Sequence, residues 1–156
     1  MQDLTALVGR LGVTDCVCLE GAVPLEALPG AIGDADVGIV PLLYDDFTRI
    51  MLPAKLLEYV ALGKPVICSR TSTIEAYFDD SMVLYVTSGD AKELAEGIRF
   101  LYEHPEKREQ LIASADRFNR EYDWQRQKQL YYSLLDDLIG ARQPAGTSHA
   151  TPRRLR

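Results

Sequence analysis

Four short apolar runs, Cys16 to Leu19, Val37 to Pro41, Pro65 to Ser69 and Met82 to Val86, alternate along the chain with stretches of helical periodicity. That alternation restricts the fold more than any other feature. Near-continuous apolarity over four or five residues suits strands covered on both faces, and strands interleaved with helices make a parallel sheet with helices packed on it. The expected class is therefore α/β. Helices are predicted over residues 3 to 11, where Leu4, Leu7, Val8 and Leu11 share a face and Gly12 ends the run, and over 25 to 34, 53 to 62 and 74 to 78.

The last part of the chain is helical. Asp90 caps a helix whose stripe continues through Leu94, Ile98 and Leu101, and Pro105 opens the next one, with Leu111, Ile112, Ala115 and Phe118 facing inward. Asp123 caps a final helix running from Trp124 to about Ile139. With 156 residues, 47% of them hydrophobic, the chain suits one domain over residues 1 to 139. Residues 140 to 156, rich in Pro, Gly, Ser, Thr and Arg, read as a disordered basic tail.

Charge and targeting signals exclude several classes. A net charge of -6 and a pI near 4.9 leave no basic surface for nucleic acid. No apolar run approaches the roughly 20 residues of a membrane-spanning helix, and no signal peptide is visible, so the expectation is a cytoplasmic protein. Arg142, Arg153, Arg154 and Arg156 lack an apolar face, so membrane contact is at most peripheral. Cys16, Cys18 and Cys68 sit in apolar runs without metal-type spacing and are expected as reduced, buried thiols. His104 precedes Pro105 at a helix junction and His149 lies in the tail, so neither makes a convincing base or ligand. No metal site is expected.

The helix PAKLLEYVAL, residues 53 to 62, has the firmest boundaries. Pro53 fits its first position, Gly63 its stop, and Pro65 follows. Apolar side chains cover most directions of its wheel, while Lys55 and Glu58 share the remaining sector at i,i+3 spacing. In a buried helix such charges must pair with each other, as a structural ion pair at the helix edge, or meet something polar, because an unpaired buried charge is expensive. Leu52 falls at the N-cap and cannot accept a hydrogen bond, which leaves the amides of Ala54 and Lys55 free. A free helix start with its positive dipole end suits phosphate, although water also satisfies such amides. Thr48 and Arg49 in the preceding loop add a hydroxyl and a charge, and Thr71, Ser72 and Thr73 lie in the loop after the next strand, on the same rim.

Read continuously, LPAKLLEYVALGKPVICSRTSTIEAYF resembles the donor-binding core of family 4, or group 1, glycosyltransferases of GT-B fold. VCLEGAVPLEALPGAIGDADVGIVPL upstream, and LYVTSGDAKELAEGIRFLYEHPEKREQLIASA and YDW downstream, extend the resemblance to nearly everything before residue 139. It implies the C-terminal, Rossmann-like half of that fold, with a parallel sheet, flanking helices and a helical C-terminal part. It further implies that Glu58 accepts from ribose hydroxyls of a nucleotide sugar while the amides near Ala54 and Lys55 hold its diphosphate. Arg49, Thr48 and Thr73 complete the expected donor contacts. The complete enzyme is expected to transfer the sugar to an acceptor hydroxyl with retention and without a metal or other cofactor.

Two departures qualify that expectation. The family often carries a second Glu eight positions before the first, touching the transferred sugar; here that position is Ile50, with Asp45, Asp46 and Arg49 as weak substitutes. The acceptor-binding domain and the opening strands of the donor domain have no counterpart in this sequence. The chain therefore reads as a fragment that needs an N-terminal acceptor domain or a partner chain, since missing strands leave sheet edges open. A non-catalytic nucleotide-binding or assembly module is the alternative reading. An epimerase is disfavoured, because the loops offer no set of carboxylate and His side chains for acid-base chemistry.

Overall fold

The structure is a computed structural model that describes residues 2–141. The expected tail lies outside the described residues from Arg142 onward. Three short strands, β1 (Gly38–Val40), β2 (Val66–Ser69) and β3 (Leu84–Val86), form a parallel sheet in the order β1-β2-β3. Gly38 pairs with Val66 and Val40 with Cys68, while Ile67 pairs with Leu84 and Ser69 with Val86.

Among the described residues seven α-helices surround or extend from the sheet: α1 (Gln2–Leu11), α2 (Leu28–Gly33), α3 (Ala54–Ala61), α4 (Ser72–Glu75), α5 (Ala91–Glu103), α6 (Pro105–Glu121) and α7 (Trp124–Ala141). Short 3-10 turns cover Leu25–Ala27 and Thr48–Ile50. Three sequence signals act as expected: Gly12 adopts a positive φ of 67° after α1, the Asp90 carboxylate accepts from the Lys92 and Glu93 amides, and Pro105 opens α6.

The sheet is covered on both faces, which explains its continuous apolar strands. Alternate residues of β2 point to opposite sides. Val66 and Cys68 join Leu56 and Val60 of α3, together with Val40, Ile74, Phe78, Met82, Val83, Tyr85 and Ala115. Ile67 joins Val86, Leu101 and Leu111 on the other side. There α5 approaches closely enough that a Cβ on Gly97 would lie 3.3 Å from Leu84.

The structure corrects several expectations. Cys16 to Leu19 is not a strand: the Cys16 and Val17 amides donate to the Val13 carbonyl in a turn, and Cys16 and Cys18 are exposed. A strand requires a neighbour to share its hydrogen bonds, and no described strand pairs with this segment. Cys68 alone is buried. The helix α3 begins at Ala54, so its N-cap is Pro53 and not Leu52, and it is not buried all round: Leu56 and Val60 are buried, while Ala54, Lys55 and Ala61 are exposed. Helix α4 starts earlier than expected, at Ser72, because the Thr71 hydroxyl caps it by accepting from the Ile74 amide. At the other end α7 runs past Ile139 to Ala141.

Candidate functional site

Parallel strands bring all their carboxyl ends to one rim, and the loops leaving β1, β2 and β3 meet there. The loop after β1 is fixed by the end of β2 and by the loop that follows β3. The Ser69 hydroxyl accepts from the Leu42 amide at 2.9 Å, and the Ser88 hydroxyl donates to the Leu42 carbonyl at 2.9 Å and accepts from the Tyr44 amide at 2.6 Å.

Further along, Asp45 Oδ1 accepts from the amides of Phe47 and Thr48 at 2.9 and 2.7 Å, an Asx-type turn. The Thr48 amide is the main reason the Asp45 carboxyl titrates below its ordinary value, and the Thr48 hydroxyl adds to it. That hydroxyl also donates to the Leu43 carbonyl at 2.5 Å, so Thr48 is committed to holding the loop.

Arg49 and Thr73 are brought together. The hydroxyls of Ser72 and Thr73 donate to the Arg49 carbonyl at 3.0 and 2.7 Å, tying the turn before α3 to the start of α4. The Arg49 side chain pairs with Asp46 at 3.2 Å in an exposed position.

Proline at the cap of α3 has no side-chain acceptor to offer. Its carbonyl takes the Leu56 and Leu57 amides, and no side-chain cap reaches the first turn. The amides of Ala54 and Lys55 are thus left for a ligand or for water.

Glu58 and Lys55 do not pair. Among the described residues Glu58 has no ion-pair partner; it is half-buried on the edge of an apolar groove of about 240 Å³ lined by Leu25, Leu28, Pro29, Ile32, Ala61 and Leu62. A helix rises about 1.5 Å per residue, so Glu58 stands about 6 Å along the axis from Ala54, on the same side.

A second set of side chains on the rim was not anticipated from sequence. The Arg70 guanidinium donates to Glu75 at 2.7 Å and to Asp80 at 2.5 Å, and it lies 4.1 Å from the centroid of the Tyr85 ring. Arg70 directly follows β2, and that position at a strand exit was the available signal. Its partners come from α4, the following loop and β3, which chain order alone does not bring together. Ile50 is exposed, and Asp45 and Asp46 are engaged by the loop's own amides and by Arg49 respectively. No group of three or more His, Cys, Asp or Glu side chains that could hold a metal occurs among the described residues.

An open parallel sheet with helices on both faces, whose strand ends and an uncapped helix start converge on one polar rim, is a Rossmann-like half-domain of the GT-B kind. The chain belongs to the glycosyl transferases group 1 family, whose model matches residues 1–104.

Among curated relatives, D-inositol 3-phosphate glycosyltransferase of Arthrobacter sp. (strain FB24) is 28% identical over 152 residues, covering 94% of this chain and 35% of that protein. MMP alpha-(1->4)-mannosyltransferase of Mycolicibacterium hassiacum is 30% identical over 101 residues, covering 64% of this chain and 23% of the relative.

Sucrose-phosphate synthase from Thermosynechococcus elongatus has a similar fold, with a TM-score of 0.78, 23% identity, and coverage of 90% of this chain and 34% of that one. Anabaena HepE, solved in complex with UDP, gives a TM-score of 0.70 at 18% identity, covering 87% of this chain and 36% of that one. The chain thus spans about a third or less of the length of these proteins.

No described helix is long and apolar enough to cross a membrane.

Proposed function

We propose that this chain forms the donor-binding half of a retaining glycosyltransferase, which transfers a sugar from a nucleoside diphosphate sugar to an acceptor hydroxyl. The observation that carries the reading is the uncapped start of α3 at the carboxyl rim of the sheet. The Ala54 and Lys55 amides and the positive end of the helix dipole receive the diphosphate. Glu58, about one turn further along, accepts from the ribose hydroxyls, and a carboxylate suits that task because it accepts two hydrogen bonds at once. In a nucleotide the ribose adjoins the phosphates, so the helical spacing matches the ligand. The apolar groove beside Glu58 suits the flat face of a base.

Arg49 supplies positive charge near the leaving diphosphate; its ion pair with Asp46 is exposed and therefore weak enough to exchange. Thr73 and Thr48 position the loop through their backbone hydrogen bonds. Fixed amides and charges aimed at the departing diphosphate lower the barrier without reorganisation. HepE, whose structures contain UDP or UDP-glucose, supports a nucleotide sugar as the ligand.

Acceptor binding and catalysis then require a further domain, in keeping with the third of their relatives' length that these residues span. The alternative is a nucleotide-binding or assembly module without catalysis, which the same uncapped helix start also suits. Backbone amide shifts recorded while UDP-glucose is added separate either reading from no site at all. The expected result is the largest changes at Ala54 and Lys55; changes confined to residues away from α3 contradict the assignment.

A further inference from the structure

Beside the start of α3, and lined by none of Ala54, Lys55 or Glu58, the rim holds a second cleft of about 420 Å³. That is within the size range of small-molecule sites, and its lining is unlike that of a phosphate site. Among the described residues that line it the one cation is Arg70, which faces two carboxylates, Glu75 and Asp80, so the local charge is negative and repels anions. The guanidinium is also pinned over the Tyr85 ring, which keeps it from swinging to a new partner.

What the cleft offers to a ligand is different. Tyr44 lines it with an exposed ring on a rigid mount, because its amide is held by the Ser88 hydroxyl at 2.6 Å. The Thr87 side chain has no hydrogen-bond partner among the described residues, although its backbone amide donates to Glu93 at 2.7 Å. Glu75 uses one carboxylate oxygen on Arg70 and keeps the other. The Ser72 hydroxyl donates to the Arg49 carbonyl and retains its lone pairs as acceptors.

We propose that this cleft binds a neutral saccharide. An electron-rich aromatic face packs against the weakly positive C–H face of a sugar ring, and a carboxylate oxygen with two hydroxyls meets the alternating donors and acceptors around its edge. A net negative cleft accepts a polyol and rejects a phosphate. The cleft shares no lining residue with Ala54, Lys55 and Glu58, so its saccharide is a ligand separate from the nucleotide sugar of the proposed function.

The test is saturation-transfer NMR on the full chain with the methyl α-glycosides of glucose, mannose and galactose as probes. Transfer to the ring protons of at least one glycoside is expected. Tyr44→Ala should weaken that binding roughly two- to tenfold, as loss of one aromatic contact does. Thr87→Val, which keeps the side chain's shape, should also weaken it, while Glu58→Ala leaves it unchanged and instead weakens UDP-glucose. Absence of transfer to all three glycosides overturns the proposal. So does transfer that survives both Tyr44→Ala and Thr87→Val in folded protein, and so does displacement of the glycoside by inorganic phosphate.

Discussion

The Cα of Gly38 lies against the ring of Tyr59, so closely that a Cβ at position 38 would meet Tyr59 Cδ2 at 2.4 Å and Cγ at 2.6 Å. Cγ is the root of the ring and cannot swing aside without moving the side chain. This contact sets the distance between β1 and α3, the helix that carries Glu58. Gly38→Ala is therefore expected to destabilise the fold by about 1–3 kcal/mol, the range for overpacking a filled core. Denaturant unfolding measures it, and an unchanged midpoint would show that α3 shifts freely on the sheet.

Thiol accessibility should divide the cysteines. Cys16 and Cys18 are exposed, whereas Cys68 is buried in β2 and burial pushes its thiol up to about 12, against a smaller opposing effect of Arg70. At neutral pH two thiols should react promptly with a disulfide reagent and the third should react on unfolding, because the thiolate is the reactive form. Three prompt thiols would place β2 nearer the surface than the structure does.

Acid should loosen the link between α6 and the segment before β3. The Ser81 hydroxyl, then the Arg117 guanidinium at 2.6 Å, hold the Asp79 carboxyl at about 2, below its ordinary 3.8. A lowered folded-state value contributes stability above pH 3.8, and that contribution is lost as pH falls from there toward about 2. Both partners are about half exposed, so screening limits the effect to about 1 kcal/mol or less. The acid limb of the stability profile should be shallower in Asp79→Asn than in the parent chain; identical limbs would assign the acid response to other groups.

The parallel sheet was legible because burial on both faces writes itself into β2 as the run Val66, Ile67, Cys68, and the helix boundaries because Gly12, Asp90 and Pro105 act locally. Cys16 to Leu19 misled for the opposite reason. Its apolar pattern is that of a strand, but a strand forms only by pairing with a neighbour brought beside it in space, and no described strand pairs with this segment. At the rim, the uncapped start of α3 could be read from sequence, displaced by one residue at the cap. The Arg70, Glu75, Asp80 and Tyr85 cluster could not, since its geometry arises from the way β2, α4 and β3 are stacked.

The role of Glu58 is most directly tested by titration calorimetry of UDP-glucose and of a GDP sugar into the full chain and into Glu58→Ala. A hydrogen-bonded carboxylate contributes about 1.5–3 kcal/mol, so the variant should bind the preferred nucleotide sugar roughly ten- to a hundredfold more weakly while unfolding at the parent's midpoint. Equal affinity of the two proteins for both ligands would contradict the account and remove Glu58 from the donor site.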